Sequence, residues 1–214
     1  MPFANRAEAG RLLAEALSKY AGRKDTLILA IPRGGLVIGY ELSKALRLPL
    51  DVLVTKKIGA SGNPEYAIGA VGPGSKFVLN PDASGYAPPE YFRDEIRRIT
   101  RAIEEKYLLL KGREKPLNLK GKTVIITDDG VATGQTLLLG IQVVRAQEPR
   151  KIVVAVPVAP PESLEFLAAA ADEVVCLETP LTFNAIGEFY HDFRQVSDEE
   201  AKGFLEKARK EVMG

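Results

Sequence analysis

The sequence predicts an α/β fold, a parallel sheet flanked by helices on both faces. Three observations predict it. Short apolar runs alternate with longer amphipathic stretches between Thr26 and Leu177, the pattern of βα units around a parallel sheet. Two of those runs end in small-residue corners, Pro32-Arg33-Gly34-Gly35 and Gly130-Val131-Ala132-Thr133-Gly134, as strands do when they turn directly into a helix. The 214 residues, 46% of them hydrophobic, suffice for one such domain with a small appendage.

Asn5 is placed to cap a first helix, whose face is Leu12, Leu13, Ala16, Leu17 and Tyr20 and whose stop is Gly22. Thr26 to Ile31 is a strand and Leu36 to Leu46 a helix. Pro49 to Thr55 is the next strand, followed by Lys56 and Lys57. Ile58 to Tyr66 reads as a flexible Gly-rich loop, and Tyr66 to Val71 with Lys76 to Leu79 as a short antiparallel pair. Pro88-Pro89 opens a long helix running to about Lys111. Its Ile96, Ile99, Ile103 and Tyr107 form an apolar stripe, and its arginines alternate with acids at salt-bridging i,i+4 spacing. Gly112 to Leu119 links to the central strand, Val124 to Thr127. A helix from Thr133 to about Ala146, a strand at Ile152 to Val156, a helix at Glu162 to Ala171 and a strand at Val174 to Leu177 complete the alternation. The tail from Thr179 to Val196 is irregular and aromatic. Ser197 with Glu200 then makes a capping box for a last helix to Met213.

A net charge of +1 gives no bulk attraction for nucleic acid. The single cysteine, Cys176, excludes an internal disulfide and a cysteine-rich metal site, and the single histidine, His191, excludes a histidine cluster. No signal-type or membrane-spanning apolar run is visible. A soluble, cytoplasmic protein without membrane partners is expected.

The segment from Lys122 to Thr136, KTVIITDDGVATGQT, organises the rest. A buried strand delivers two adjacent carboxylates, Asp128 and Asp129, to the place where open α/β sheets bind ligands. The turn behind them is built of small residues, so its amides approach a ligand closely, and the helix that follows adds the positive end of its dipole, which suits a phosphate. Thr133 and Thr136 add hydroxyl donors. The aspartates repel that phosphate and suit sugar hydroxyls, directly or through Mg²⁺. Phosphate cradle and carboxylate pair together describe a sugar phosphate with vicinal hydroxyls. No G-x-x-x-x-G-K-[ST] and no G-x-G-x-x-G occurs.

Four apolar residues, two acids and a G-x-A-T-G-x-T loop resemble the phosphoribosyl-diphosphate (PRPP) motif of type I phosphoribosyltransferases, and the likeness extends over nearly the whole chain. It implies that Asp128 and Asp129 are the catalytic acids, holding the ribose and, indirectly, Mg²⁺. Val131, Ala132, Thr133, Gly134, Gln135 and Thr136 would wrap the 5-phosphate. Arg33, Gly34 and Gly35, with Lys56 and Lys57, would meet the pyrophosphate. Such enzymes often hold a non-proline cis peptide in the Arg33 loop and close a mobile loop at the position of Ile58 to Tyr66. The resemblance further implies a core of about residues 24–178, a hood from about 1–22 and 179–214, an acceptor site drawing on Phe183 and Tyr190, and a homodimer. Members that salvage oxopurines carry an aspartate where this chain has Ala132, which disfavours that acceptor without choosing another. Two other readings stay open: a PRPP sensor without catalysis, and a hydrolase using His191 or Glu188 as base.

Overall fold

In chain order the elements begin with β1 (Phe3–Asn5), α1 (Arg6–Ala16), β2 (Thr26–Ala30), α2 (Gly35–Leu46) and β3 (Leu50–Val52). Next come β4 (Lys56–Ala60), β5 (Asn63–Val71), β6 (Phe77–Leu79) and α3 (Pro89–Lys111). The chain continues with β7 (Thr123–Thr127), α4 (Gln135–Arg145), β8 (Lys151–Val158), α5 (Pro161–Ala170), β9 (Glu173–Glu178), β10 (Tyr190–Asp192) and α6 (Asp198–Met213). The computed structural model describes residues 3–112 and 115–213; part of the 112–119 link therefore lies outside the described residues.

Five strands form one parallel sheet in the order β3-β2-β7-β8-β9. Strand residues alternate faces, and the core divides accordingly. Leu27, Leu29, Val124, Ile126, Ile152 and Val154 pack with Leu137 and Ile141 of α4 and Leu167 of α5. Ile28, Ile125 and Val153 pack on the opposite face with Leu13 of α1 and Ile38 and Leu42 of α2. Each such Leu or Ile, fully buried, stabilises the fold by about 1.5–3 kcal/mol. Among the described residues no helix is long and apolar enough to cross a membrane.

A second sheet, β4-β5-β6, is antiparallel. This corrects the expected loop at Ile58 to Tyr66: those residues form the arms of a hairpin turned at Ser61-Gly62. Lys56 and Lys57 accordingly open β4, where the sequence predicts them to follow a continuous strand from Pro49 to Thr55. The hairpin is held by burial. Ile58, Ile68 and Val71 meet Ile99, Ile103, Tyr107 and Leu110 of α3 and Leu205 of α6 in a third apolar cluster. Within α3, arginines pair with acids at i,i+3 (Arg98–Glu95, 2.6 Å; Arg97–Asp94, 3.9 Å).

The chain ends meet in a third pairing, β1 parallel to β10, with Phe3 opposite Tyr190 and Asn5 opposite Asp192. Asn5 caps α1 by accepting the Glu8 amide at 3.0 Å. Ser197 and Glu200 exchange the two hydrogen bonds of a capping box.

Edge strand β9 is tied to its neighbour by charge. Glu173 accepts from Lys151 at 2.7 Å and Tyr20 at 2.8 Å, and pairs with Lys19 at 2.8 Å. Burial opposes its charge, but these contacts outweigh it and hold the carboxyl down at about 2, against an ordinary 4.5. A depressed folded-state value stabilises the protein above the unfolded-state value and is lost as pH falls through the folded one. Urea midpoints between pH 4.5 and 2 should therefore fall more steeply in the wild type than in Glu173→Gln. Parallel slopes would remove Glu173 from the acid response.

Candidate active site

Because β2 and β7 are neighbours, the two small-residue corners that follow them lie side by side. The Ile31 amide donates to the Thr127 carbonyl at 2.9 Å, carrying the pairing one residue past β2. The Pro32–Arg33 peptide is cis. Gly34 and Gly35 then press on the acid pair. A Cβ on Gly34 would lie 1.9 Å from Asp129 Oδ2 and 3.0 Å from Arg6 Nε, and one on Gly35 would lie 2.9 Å from Asp128 Cα. The Gly34 backbone is right-handed helical, φ −59° and ψ −39°. Any residue adopts that conformation, so room and not backbone freedom is what requires glycine there.

The two aspartates differ. Asp128 is half-buried and accepts the Asp129 amide at 2.8 Å. Burial first, then the neighbouring Asp129 charge, push its carboxyl well above the usual range, while Arg6 pulls it back. Asp129 is buried, and its Oδ2 receives Arg6 Nε at 2.6 Å. Its carbonyl receives the Tyr190 hydroxyl, also at 2.6 Å.

In the turn beyond, the Val131 side chain is core and its amide donates to the Val158 carbonyl at 2.9 Å. Ala132 and Thr133 are exposed, and Gly134 takes φ +74° to enter α4. The Ala132 carbonyl accepts Ser163 Oγ, from α5, at 2.7 Å. Among the described residues the Ala132, Thr133 and Gly134 amides have no protein acceptor, and they precede the positive end of an eleven-residue helix.

A cavity of about 610 Å³ lies between Pro32 and the first turn of α4, and Gly34, Gly35, Asp128 and Asp129 are not among its lining residues. Pro32, Thr55, Lys56, Lys106, Thr136 and Asp198 are among its lining. Hollows of about 500 and 910 Å³ flank α3 and touch none of the expected site residues. Arg33 lies 3.8 Å from Asp198, whose same oxygen holds Lys106 at 2.5 Å. Lys57 is occupied within the hairpin by the Glu65 carboxylate at 2.8 Å and the Glu65 carbonyl at 3.1 Å. Phe183 stacks on Phe189 at 5.3 Å. Tyr190 is buried between Phe3 and Phe193, its hydroxyl committed to Asp129, so its ring supports the acid pair from behind.

Arg6, Ser163 and Lys106 join this site without having been singled out in the sequence. Ser163 and Lys106 sit in helices whose patterns show only amphipathicity. Arg6 directly follows a helix cap, a position that ordinarily faces solvent.

Residues 4–194 match the sequence profile of the phosphoribosyl transferase domain, and the chain belongs to that family, as a type I member. It is 39% identical, over 98% of its length, to a Mycobacterium tuberculosis (H37Rv) protein provisionally named a phosphoribosyl transferase. The chain spans about half, 47%, of that relative's length. The crystal structure of TT1426 from Thermus thermophilus superposes with a TM-score of 0.88 at 42% identity, covering 97% of this chain and 99% of that one.

Proposed function

We propose that the chain binds PRPP with Mg²⁺ and transfers the 5-phosphoribosyl group to a nitrogenous acceptor, a nucleobase or similar ring, releasing pyrophosphate. The observation that carries the reading is the packing of the Gly34-Gly35 corner onto Asp128 and Asp129, one turn before free amides at a helix start.

On this reading the Ala132, Thr133 and Gly134 amides, with Gln135 and the Thr136 hydroxyl, take the 5-phosphate. Val131 shapes the turn, since its own amide serves Val158. Asp128 and Asp129 hold the ribose hydroxyls. Arg33, Gly34, Gly35 and Lys56 meet the pyrophosphate, and Lys57 joins them by exchanging Glu65 for phosphate oxygens. The acceptor nitrogen bonds to the anomeric carbon as the carbon–oxygen bond to pyrophosphate breaks. Pyrophosphate keeps the electron pair, and the cationic character on the sugar develops beside the carboxylates. Catalysis is then positioning and charge stabilisation. The Phe183–Phe189 stack offers the aromatic surface for a flat acceptor.

The donor set suits Mg²⁺. The ion prefers oxygen ligands and is commonly held with substrate phosphates and water; Asp128 and Asp129 would hold it indirectly, through the ribose hydroxyls or water. When bound, it neutralises charge on the leaving pyrophosphate.

Calorimetry with PRPP and Mg²⁺ should give saturable heat. Pyrophosphate release should then depend on one member of a nucleobase panel. Release independent of every acceptor would favour hydrolysis, and absence of PRPP heat would overturn the reading.

A further inference from the structure

We propose that Arg6 is the positioning residue of the acid pair: it orients Asp129 and couples ligand affinity to docking of the chain's first helix. The inference rests on the reading above and extends it to a residue outside the PRPP segment.

Arg6 is the first residue of α1 and only 8% exposed. A guanidinium taken out of water has to be matched by an opposite charge and by hydrogen bonds. Three groups from two distant parts of the chain do this. Nε donates to Asp129 Oδ2 at 2.6 Å, Nη1 donates to the Arg194 carbonyl at 2.8 Å, and the guanidinium lies 3.8 Å over the Phe193 ring. Among the described residues Arg6 is the one cation within ion-pair distance of either Asp128 or Asp129.

The contacts fix more than the hood. With Oδ2 held by Arg6 and the carbonyl held by Tyr190, Asp129 is restrained at side chain and backbone together. Gly34 closes on the same ion pair, so the pyrophosphate corner takes its seat from Arg6 as well. An outer residue of this kind sets the orientation of the group that meets the ligand. Lysine would keep the charge but not the fork that reaches Asp129 and Arg194 together.

The test compares wild type, Arg6→Gln, Arg6→Lys and Arg194→Ala by calorimetry with PRPP and Mg²⁺, alongside melting temperatures. Arg194→Ala removes an exposed ion pair to Glu200 and leaves the carbonyl that Arg6 uses, so it controls for loosening of the hood. Arg6→Gln should raise the PRPP dissociation constant about 10–100-fold, with Arg6→Lys between it and wild type and Arg194→Ala within about twofold of wild type. A steady-state comparison should show the loss chiefly in KM for PRPP. If Arg6→Gln lowers the melting temperature while its dissociation constant stays within twofold of wild type, the residue merely holds the fold together and the proposal falls. Should Arg6→Gln fail to fold, an unchanged dissociation constant in Arg6→Lys has the same consequence. Absence of heat from the wild type would sink the PRPP reading itself, and this inference with it.

Discussion

Asparagine at Asp129 should fold and bind poorly, with turnover from PRPP down about 100-fold or more, the scale of losing one preorganised electrostatic contact at a reaction centre. The choice of asparagine matters. Alanine removes the carboxylate that balances a buried guanidinium, and breaking a buried pair from one side costs about 3–5 kcal/mol. A dead alanine variant would then report on folding as much as on chemistry. Asparagine gives up the charge as well, but it keeps the shape beside Gly34 and an oxygen that accepts from Arg6, and the Tyr190 contact goes to the backbone carbonyl, which no substitution at Asp129 removes. Pyrophosphate release and a circular-dichroism melt on the same sample separate the outcomes. An intact melt with wild-type turnover would take Asp129 out of the reaction.

Alanine at Gly34 should be nearly as damaging, for a different reason. The backbone there is ordinary helical geometry, so alanine meets no conformational penalty. Its Cβ would instead sit 1.9 Å from Asp129 Oδ2. The oxygen must move, and it is the atom that Arg6 holds. Overpacking of this kind costs about 1–3 kcal/mol, and displacing the acid should weaken PRPP binding about tenfold or more. Gly22 is the contrast. Its φ is +68°, and a Cβ there would meet nothing within 4 Å. Alanine at that position should cost about 1–2 kcal/mol and leave PRPP affinity unchanged. Calorimetry and urea unfolding on both variants check the pair, and equal losses of affinity at the two positions would contradict the steric account.

The sequence carried the parallel sheet because its signal is local. Val124 to Thr127 and Ile152 to Val156 are apolar on both faces, and both faces are in fact covered. Caps at Asn5 and Ser197 were legible for the same reason, since their partners lie three residues away. The hairpin arms were not. Gly59, Asn63 and Pro64 are turn formers like the Ser61-Gly62 turn between them, and what holds them in strands is the β4–β5 pairing and cover from α3. The β1–β10 pair was equally hidden, as three-residue strands far apart in sequence show no periodicity. Arg6 reaches Asp129 across 123 residues, and no local pattern distinguishes it from the other arginines. Of the candidate site, the acids and the small-residue turns could be read because their chemistry is contiguous. What supports them comes from elsewhere in the chain.

The bond from Ser163 to the Ala132 carbonyl has a geometric corollary. A trans peptide is flat, with its C=O and N–H on opposite sides. Anchoring the Ala132 oxygen toward α5 turns the Thr133 N–H to the other side, away from that helix. The direction of the donor is thus set by the fold itself, and on the proposed reading phosphate binding need not freeze a wandering loop to obtain it.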